Sequence, residues 1–135
     1  MPIRVPTRHN LKLRQVVERI NADAELHQLW KCANINAVDR MRMSDHGEVH
    51  IRIVSNVALK MLRLLVRADV EMSVAANHGL TTDDAEVIVV LASCLHDVGM
   101  AVHRERHEDY SVPLALSRLH EWLPGIYPRA EAAIV

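Results

Sequence analysis

The chain has 135 residues, half of them hydrophobic and 24% charged, with a formal net charge of -1. That length and composition suit one domain with its own core and exclude a disordered chain. The balanced charge and 3% aromatic content offer neither an electrostatic footprint nor a stacking platform for nucleic acid. No apolar run nears the roughly 18 residues of a membrane span, and the N-terminus, MPIRVPTRHN, has no secretory h-region. No nucleic-acid or membrane partner is therefore expected. Cys32 and Cys94 form no CxxC pair and read as small core hydrophobes in a reducing compartment, so a cytoplasmic location is expected. Four Gly and five Pro are too few for a turn-rich all-β fold. Nine His is a high count and the first hint of function.

Leu13, Val16, Val17 and Ile20 recur at helical spacing and predict a first helix. Asn21 reads as the N-cap of a second, with Asp23 and Glu25 in its first turn and a stripe of Leu26, Leu29, Trp30, Ala33 and Ala37. Asp45 and Glu48 fit a capping box for a third helix. Its stripe of His50, Ile53, Val54, Val57, Met61, Leu64 and Leu65 predicts the core face, and Arg52, Asn56, Lys60, Arg63 and Arg67 the solvent face. His46 lies one turn before His50 on the same side. Residues 68–80 read as a helix tail and a loop at Asn77-His78-Gly79. Thr82 is the expected cap of a fourth helix, apolar nearly all round from Val87 to Val98 and so central, with Gly99 ending it. Residues 100–110 read as irregular. A fifth helix follows, with Pro113 in its first turn and Val112, Ala115, Leu116, Leu119, Trp122 and Leu123 on one face, before Pro124-Gly125 breaks it. A sixth would start at Pro128. No internal repeat or linker interrupts this pattern. The expectation is one all-α domain over residues 1–135, a bundle of about five to six helices.

His96 and Asp97 sit near the end of the buried helix. An ionised carboxylate inside a core costs several kcal/mol unless it is paired or bound to a metal. His50, on the predicted core face, is one partner; a divalent cation held by His50, His96 and Asp97 together is another answer. Adjacent helical residues point about 100° apart, so His96 and Asp97 grip one ion only in a cleft that His50 approaches from the other side. A core His hydrogen-bonded to an Asp satisfies the same residues without a metal.

The segments DHGEVHIRIV and LASCLHDVGM, with 46 positions from His50 to His96, resemble the HD domain, a metal-dependent phosphohydrolase superfamily. Its pattern runs His … His-Asp … Asp. His50 matches the first His, His96-Asp97 the doublet, and Val98-Gly99 the small hydrophobe and Gly that often follow. The resemblance covers residues 35 to 120. It implies an all-α bundle, with His50, His96 and Asp97 as metal ligands and Asp97 central to catalysis. Mixed His and carboxylate ligation suits Mn, Fe, Zn, Ni or Co better than Ca, with Mg as a further candidate divalent ion. In that family the doublet Asp can bridge two metals while further His hold the second; His46, His103 and His107 are the candidates here. His46 is also assigned a catalytic role. Arg42, His103, Arg104 and His107 flank the motifs as candidate substrate-binding groups, the arginines through bidentate contacts to phosphate. His9, His27, His78 and His120 read as surface residues.

One departure stands out. The family's last ligand is an Asp on a later helix, and the last Asp here is Asp109, only 12 residues after Asp97. Asp109 or Glu121 substitutes, or water or substrate fills the position, or the chain is cut short; the last, or a degenerate site, is the expectation. One ligand short, the site should bind metal more weakly and hydrolyse phosphoesters slowly. The function expected is a metal-dependent phosphohydrolase acting on a nucleotide or related small phosphoester through activated water. The alternatives are a non-catalytic regulatory or ligand-binding module of the same fold and a lyase or oxygenase on the same scaffold. A second copy of the chain is a candidate partner.

Overall fold

Capping chemistry at the start of the chain sets out the first two helices. Asn10 accepts the Leu13 N–H (3.0 Å) and opens α1, Leu11–Ala22, which buries Leu13, Val16, Val17 and Ile20. Asp23 ends α1 and caps α2, Ala24–Asn34, by accepting the Leu26 N–H (2.9 Å). Asn21 is therefore not the cap. Its amide instead bonds both backbone groups of Ile3, pinning the N-terminal strap to α1. The chain continues from α2 into a π-helical turn, Ile35–Arg40. The computed structural model describes residues 2–135, and among them there is no strand.

The long helix α3, Glu48–Arg67, is followed by the short α4, Ser73–His78. Gly79, at φ 67°, closes α4 in the left-handed region that suits glycine. Thr81 caps α5, Thr82–Leu95, through a capping box with Asp84, one residue earlier than the expected Thr82. A 3₁₀ turn, Val98–Ala101, leads to α6, His107–Trp122, and the short α7, Arg129–Ala132, ends the bundle. Five long helices thus carry the all-α fold, with α4 and α7 as short additions.

As its near-continuous apolar sequence predicts, α5 is the central element. Val87, Val90, Leu91 and Leu95 are buried among Leu13, Ile20, Leu26, Trp30, Ile51 and Leu59. Trp30 spans this core and donates its indole N–H to the Cys94 carbonyl (2.9 Å). Cys94 is buried and its thiol is pushed up to about 12 by desolvation, so it is inert packing, as expected; Cys32 is only half-buried.

The third helix turns a different face inward from the one its stripe predicts. Ile51, Ser55, Leu59 and Arg63 are buried, whereas Ile53, Val57, Met61, Leu64 and Leu65 are each about half exposed. Val54 lies between these extremes. The reason is polar. Arg63 places its guanidinium against Glu86 on α5 at 2.6 and 2.8 Å, and Asn10 donates to the same carboxylate at 3.1 Å. A two-pronged buried ion pair of this kind stabilises the orientation that makes it. In α6 the predicted face is kept in part: Trp122 and Leu123 are buried and Ala115 and Leu119 pack against the core, but Val112 and Leu116 are exposed while Ser111 and Arg118 turn in. Arg118 is held by Asp23, Glu25 and Glu121. Because α6 begins at His107, with Glu108 and Asp109 favourable in its first turn, Pro113 falls inside the helix instead of at its start.

Candidate metal centre

Three histidines from three parts of the chain converge on one carboxylate. Asp97 follows the end of α5 and is buried. Its Oδ2 lies 3.5 Å from His50 Nε2 on α3 and 3.0 Å from His96 Nε2. Its Oδ1 lies 3.4 Å from Nε2 of His107, the first residue of α6. The ligand atoms of His50, His96 and Asp97 all fall within 4.8 Å of one another. The expected juxtaposition is therefore present, and His107 joins it. His46 stacks on His50 at 5.4 Å between ring centroids, and His50 lies 5.6 Å from the His96 ring.

Tautomers decide what this cluster accommodates. His96 Nδ1–H donates to the Ser93 carbonyl (3.0 Å), and His107 Nδ1–H donates to the Arg104 carbonyl (3.0 Å). In the neutral rings each Nε2 then aims a lone pair at Asp97, an arrangement that calls for a positive charge between nitrogen and oxygen. Anchoring the far nitrogen on a carbonyl is the usual way a protein orients a metal-binding imidazole. His50 Nε2 is buried without a hydrogen-bond partner among the described residues, and such orphaned polar atoms are costly. Donor atoms about 2.0–2.2 Å from one ion stand roughly 3–3.5 Å apart, which matches the separations here. The residues fit a divalent transition metal.

The electrostatics agree with the geometry. Burial would raise the Asp97 carboxyl, but the hydrogen bond and charge of His96, aided by His46 and His107, hold it below its ordinary value. The bond to Asp97 raises His96 above an ordinary histidine despite partial burial. Desolvation lowers His50, with the neighbouring His96 and His46 acting in the same direction against Asp97. His50 is thus biased toward the neutral form that a ligand needs.

The backbone around the doublet explains the residues that follow it. A Cβ on Gly99 would lie 1.9 Å from the His107 carbonyl oxygen and 2.7 Å from the Ser111 nitrogen. Glycine lets α6 pack directly on the 3₁₀ turn and deliver His107 to Asp97. Ser111 fastens this contact, accepting the Gly99 N–H (2.9 Å) and donating to the His96 carbonyl (2.8 Å). On the α3 side, Asp45 accepts the N–H groups of Gly47 and His50, and Asn34 accepts that of His46. Gly47, not Asp45, occupies the cap position. Ser111 and Asn34 carry no metal-ligand signature and went unsuspected in the sequence.

The other expected residues distribute as follows. Asp109 is exposed and bonded to Arg106 (2.7 Å), and Glu121 is bonded to Arg118 (3.0 Å). Neither joins the cluster, so the alternative that one of them substitutes for the later Asp is not met: Asp109 is held by Arg106, the residue just before α6, and Glu121 by Arg118 within it. Arg42 is exposed in a turn at φ 57°, outside the cluster. His103 and Arg104 line a neighbouring cleft that also takes in Arg40, a residue the sequence did not single out. His27 is not a plain surface residue: its Nδ1 lies 2.6 Å from Glu48, and the pair borders a separate, larger cleft of ≈ 730 Å³. His9, His78 and His120 are exposed as expected.

No family model matches the chain, and no solved structure matches it. The chain is 33% identical over 119 residues to an uncharacterized protein of Methanocaldococcus jannaschii. That alignment takes in 88% of this chain and 46% of the relative, so the chain spans about half the length of the curated relative it matches. No helix among the described residues is long and apolar enough to cross a membrane.

Proposed function

We propose that the chain is a metal-dependent phosphohydrolase of the HD-domain type, acting on a small phosphoester such as a nucleotide. One observation carries the reading: three imidazole Nε2 atoms surround the Asp97 carboxylate, two of them with Nδ1 pinned to backbone carbonyls. His50, His96 and Asp97 would hold the ion. The chemistry supplied by such an ion is Lewis-acid activation of water and of a phosphoryl oxygen near neutral pH.

The chain's own residues supply orientation and charge. Asp97 directs one carboxylate oxygen at His50 and His96 and the other at His107, so Asp97 and His107 would be the residues available to hold a second ion. His46, backed by the Ser44 carbonyl at 2.7 Å, stands at the outer side of His50 and is placed to exchange a proton at the mouth of the site. His96 is part exposed, so water and a small substrate reach the cluster.

The test is a panel of phosphomonoesters, nucleoside monophosphates and cyclic dinucleotides assayed with Mn²⁺, Co²⁺, Ni²⁺ or Zn²⁺. Metal-dependent turnover that is lost in Asp97→Ala and His50→Ala supports the reading. Metal uptake without turnover of any phosphoester would favour the non-catalytic module.

A further inference from the structure

The cleft beside the cluster has a chemistry of its own. It encloses ≈ 350 Å³, within the range of small-molecule sites. Met41 and Val102 form apolar wall, and Arg40, His103, Arg104 and Glu105 supply the charged and polar groups. Neither Arg40 nor Arg104 has a carboxylate within ion-pair distance among the described residues. Arg40 is nonetheless oriented. Its Nη1 donates to Asn36 Oδ1 (2.8 Å), and the Asn36 amide donates to the carbonyls of Met100 (2.9 Å) and Ala101 (3.2 Å). The cleft is also tied to the cluster. The Arg104 carbonyl accepts from His107 Nδ1, and the opposite nitrogen of that ring faces Asp97. One imidazole thus separates the cleft wall from the carboxylate at the centre of the proposed metal site.

We propose that this cleft is an anion subsite gripped by Arg40 and Arg104, which receives a second anionic group of the substrate while the scissile phosphoryl group lies at the His–Asp cluster. The proposal rests on the phosphohydrolase reading and narrows its substrate class to small phosphoesters carrying two anionic groups, such as diphosphates. Guanidinium forks match phosphate oxygens in pairs, and an arginine without a carboxylate partner keeps that capacity for a ligand. Met41 and Val102 would pack the segment joining the two groups. Glu105 opposes a fully anionic occupant and so limits affinity.

The probe is inorganic pyrophosphate, titrated into the whole metal-stripped chain and followed by amide chemical shifts. Shifts are expected in residues 36–41 and 102–105. Arg40→Gln and Arg104→Gln should each weaken binding about tenfold, the loss of a charge-assisted hydrogen bond. Glu105→Gln should tighten it, and Lys60→Gln, exposed on α3 and outside the cleft, should leave it unchanged. Absence of binding, or binding indifferent to both Arg40 and Arg104, overturns the proposal. Because the titration contains no metal, the two readings fail separately. Lost pyrophosphate binding with metal uptake intact rejects the subsite. Pyrophosphate binding without metal uptake or turnover rejects the hydrolase.

Discussion

Gly99 shows how one residue can fix a site without touching a ligand. Any side chain there meets the backbone of α6, not the movable end of another side chain. Gly99→Ala should therefore cost at least about 1–3 kcal/mol in denaturant unfolding and displace His107 from Asp97. The Arg63–Glu86 pair is the second single-residue test. Glu86→Ala leaves a buried guanidinium without its partner and should destabilise by about 3–5 kcal/mol, whereas replacing both residues with apolar ones of similar volume should recover much of that loss. Acid should act through the same kind of group. Asp84, bonded by Lys12, Thr81 and Tyr127, is held at about 2 despite burial. Its folded value lies below its unfolded one, so its contribution is present above the ordinary carboxylate range and is lost as pH falls toward 2. Asp23 and Glu86, lowered in the same way, should steepen acid unfolding, as circular dichroism against pH would show. The residues that converge were largely legible: His50, His96 and Asp97 stand out because a carboxylate at the end of an apolar helix needs a partner. Ser111 and Arg40 were not, since a lone serine or arginine carries no periodic or pairing signal until the fold brings its partners near.

At the scale of elements, α5 and α3 make opposite cases. The apolar length of α5, framed by a capping box, has one solution, and the helix is central. Leu91→Ala should accordingly cost about 2–5 kcal/mol. For α3 the sequence offers two faces, and counting apolar side chains selects the wrong one. Seven residues from His50 to Leu65 form the richer stripe, but the sheltered side is the one that brings Arg63 to Glu86 and Ser55 to Cys94. Hydrophobic periodicity weighs side chains one at a time, and a buried ion pair is a property of two helices. Thermal unfolding of paired variants separates the faces. Leu59→Ala should cost about 2–5 kcal/mol, while Val57→Ala and Met61→Ala, on the exposed stripe, should stay near or below about 0.5 kcal/mol. In α6 the predicted stripe largely holds, and only Val112 and Leu116 fall outside it where Arg118 is drawn in by Asp23.

Taken whole, the bundle is a device for bringing α3, the end of α5 and the start of α6 to one point. Each contributes one histidine facing Asp97, and a metal bound there would compete with the proton that Asp97 favours on His96. His96 is raised by Asp97, so its proton persists to higher pH than that of an ordinary histidine. Metal affinity should therefore climb as pH rises through the histidine range and fall off in acid. The most direct test is the metal stoichiometry of the stripped and reloaded chain at neutral pH, for wild type beside Asp97→Ala and His50→Ala. The wild-type chain should take up at least one divalent transition-metal ion in a saturable manner, and both variants should lose it while keeping their helical content. A wild-type chain that takes up no metal, or an Asp97→Ala chain that retains full occupancy, would contradict the assignment of this cluster as a metal centre.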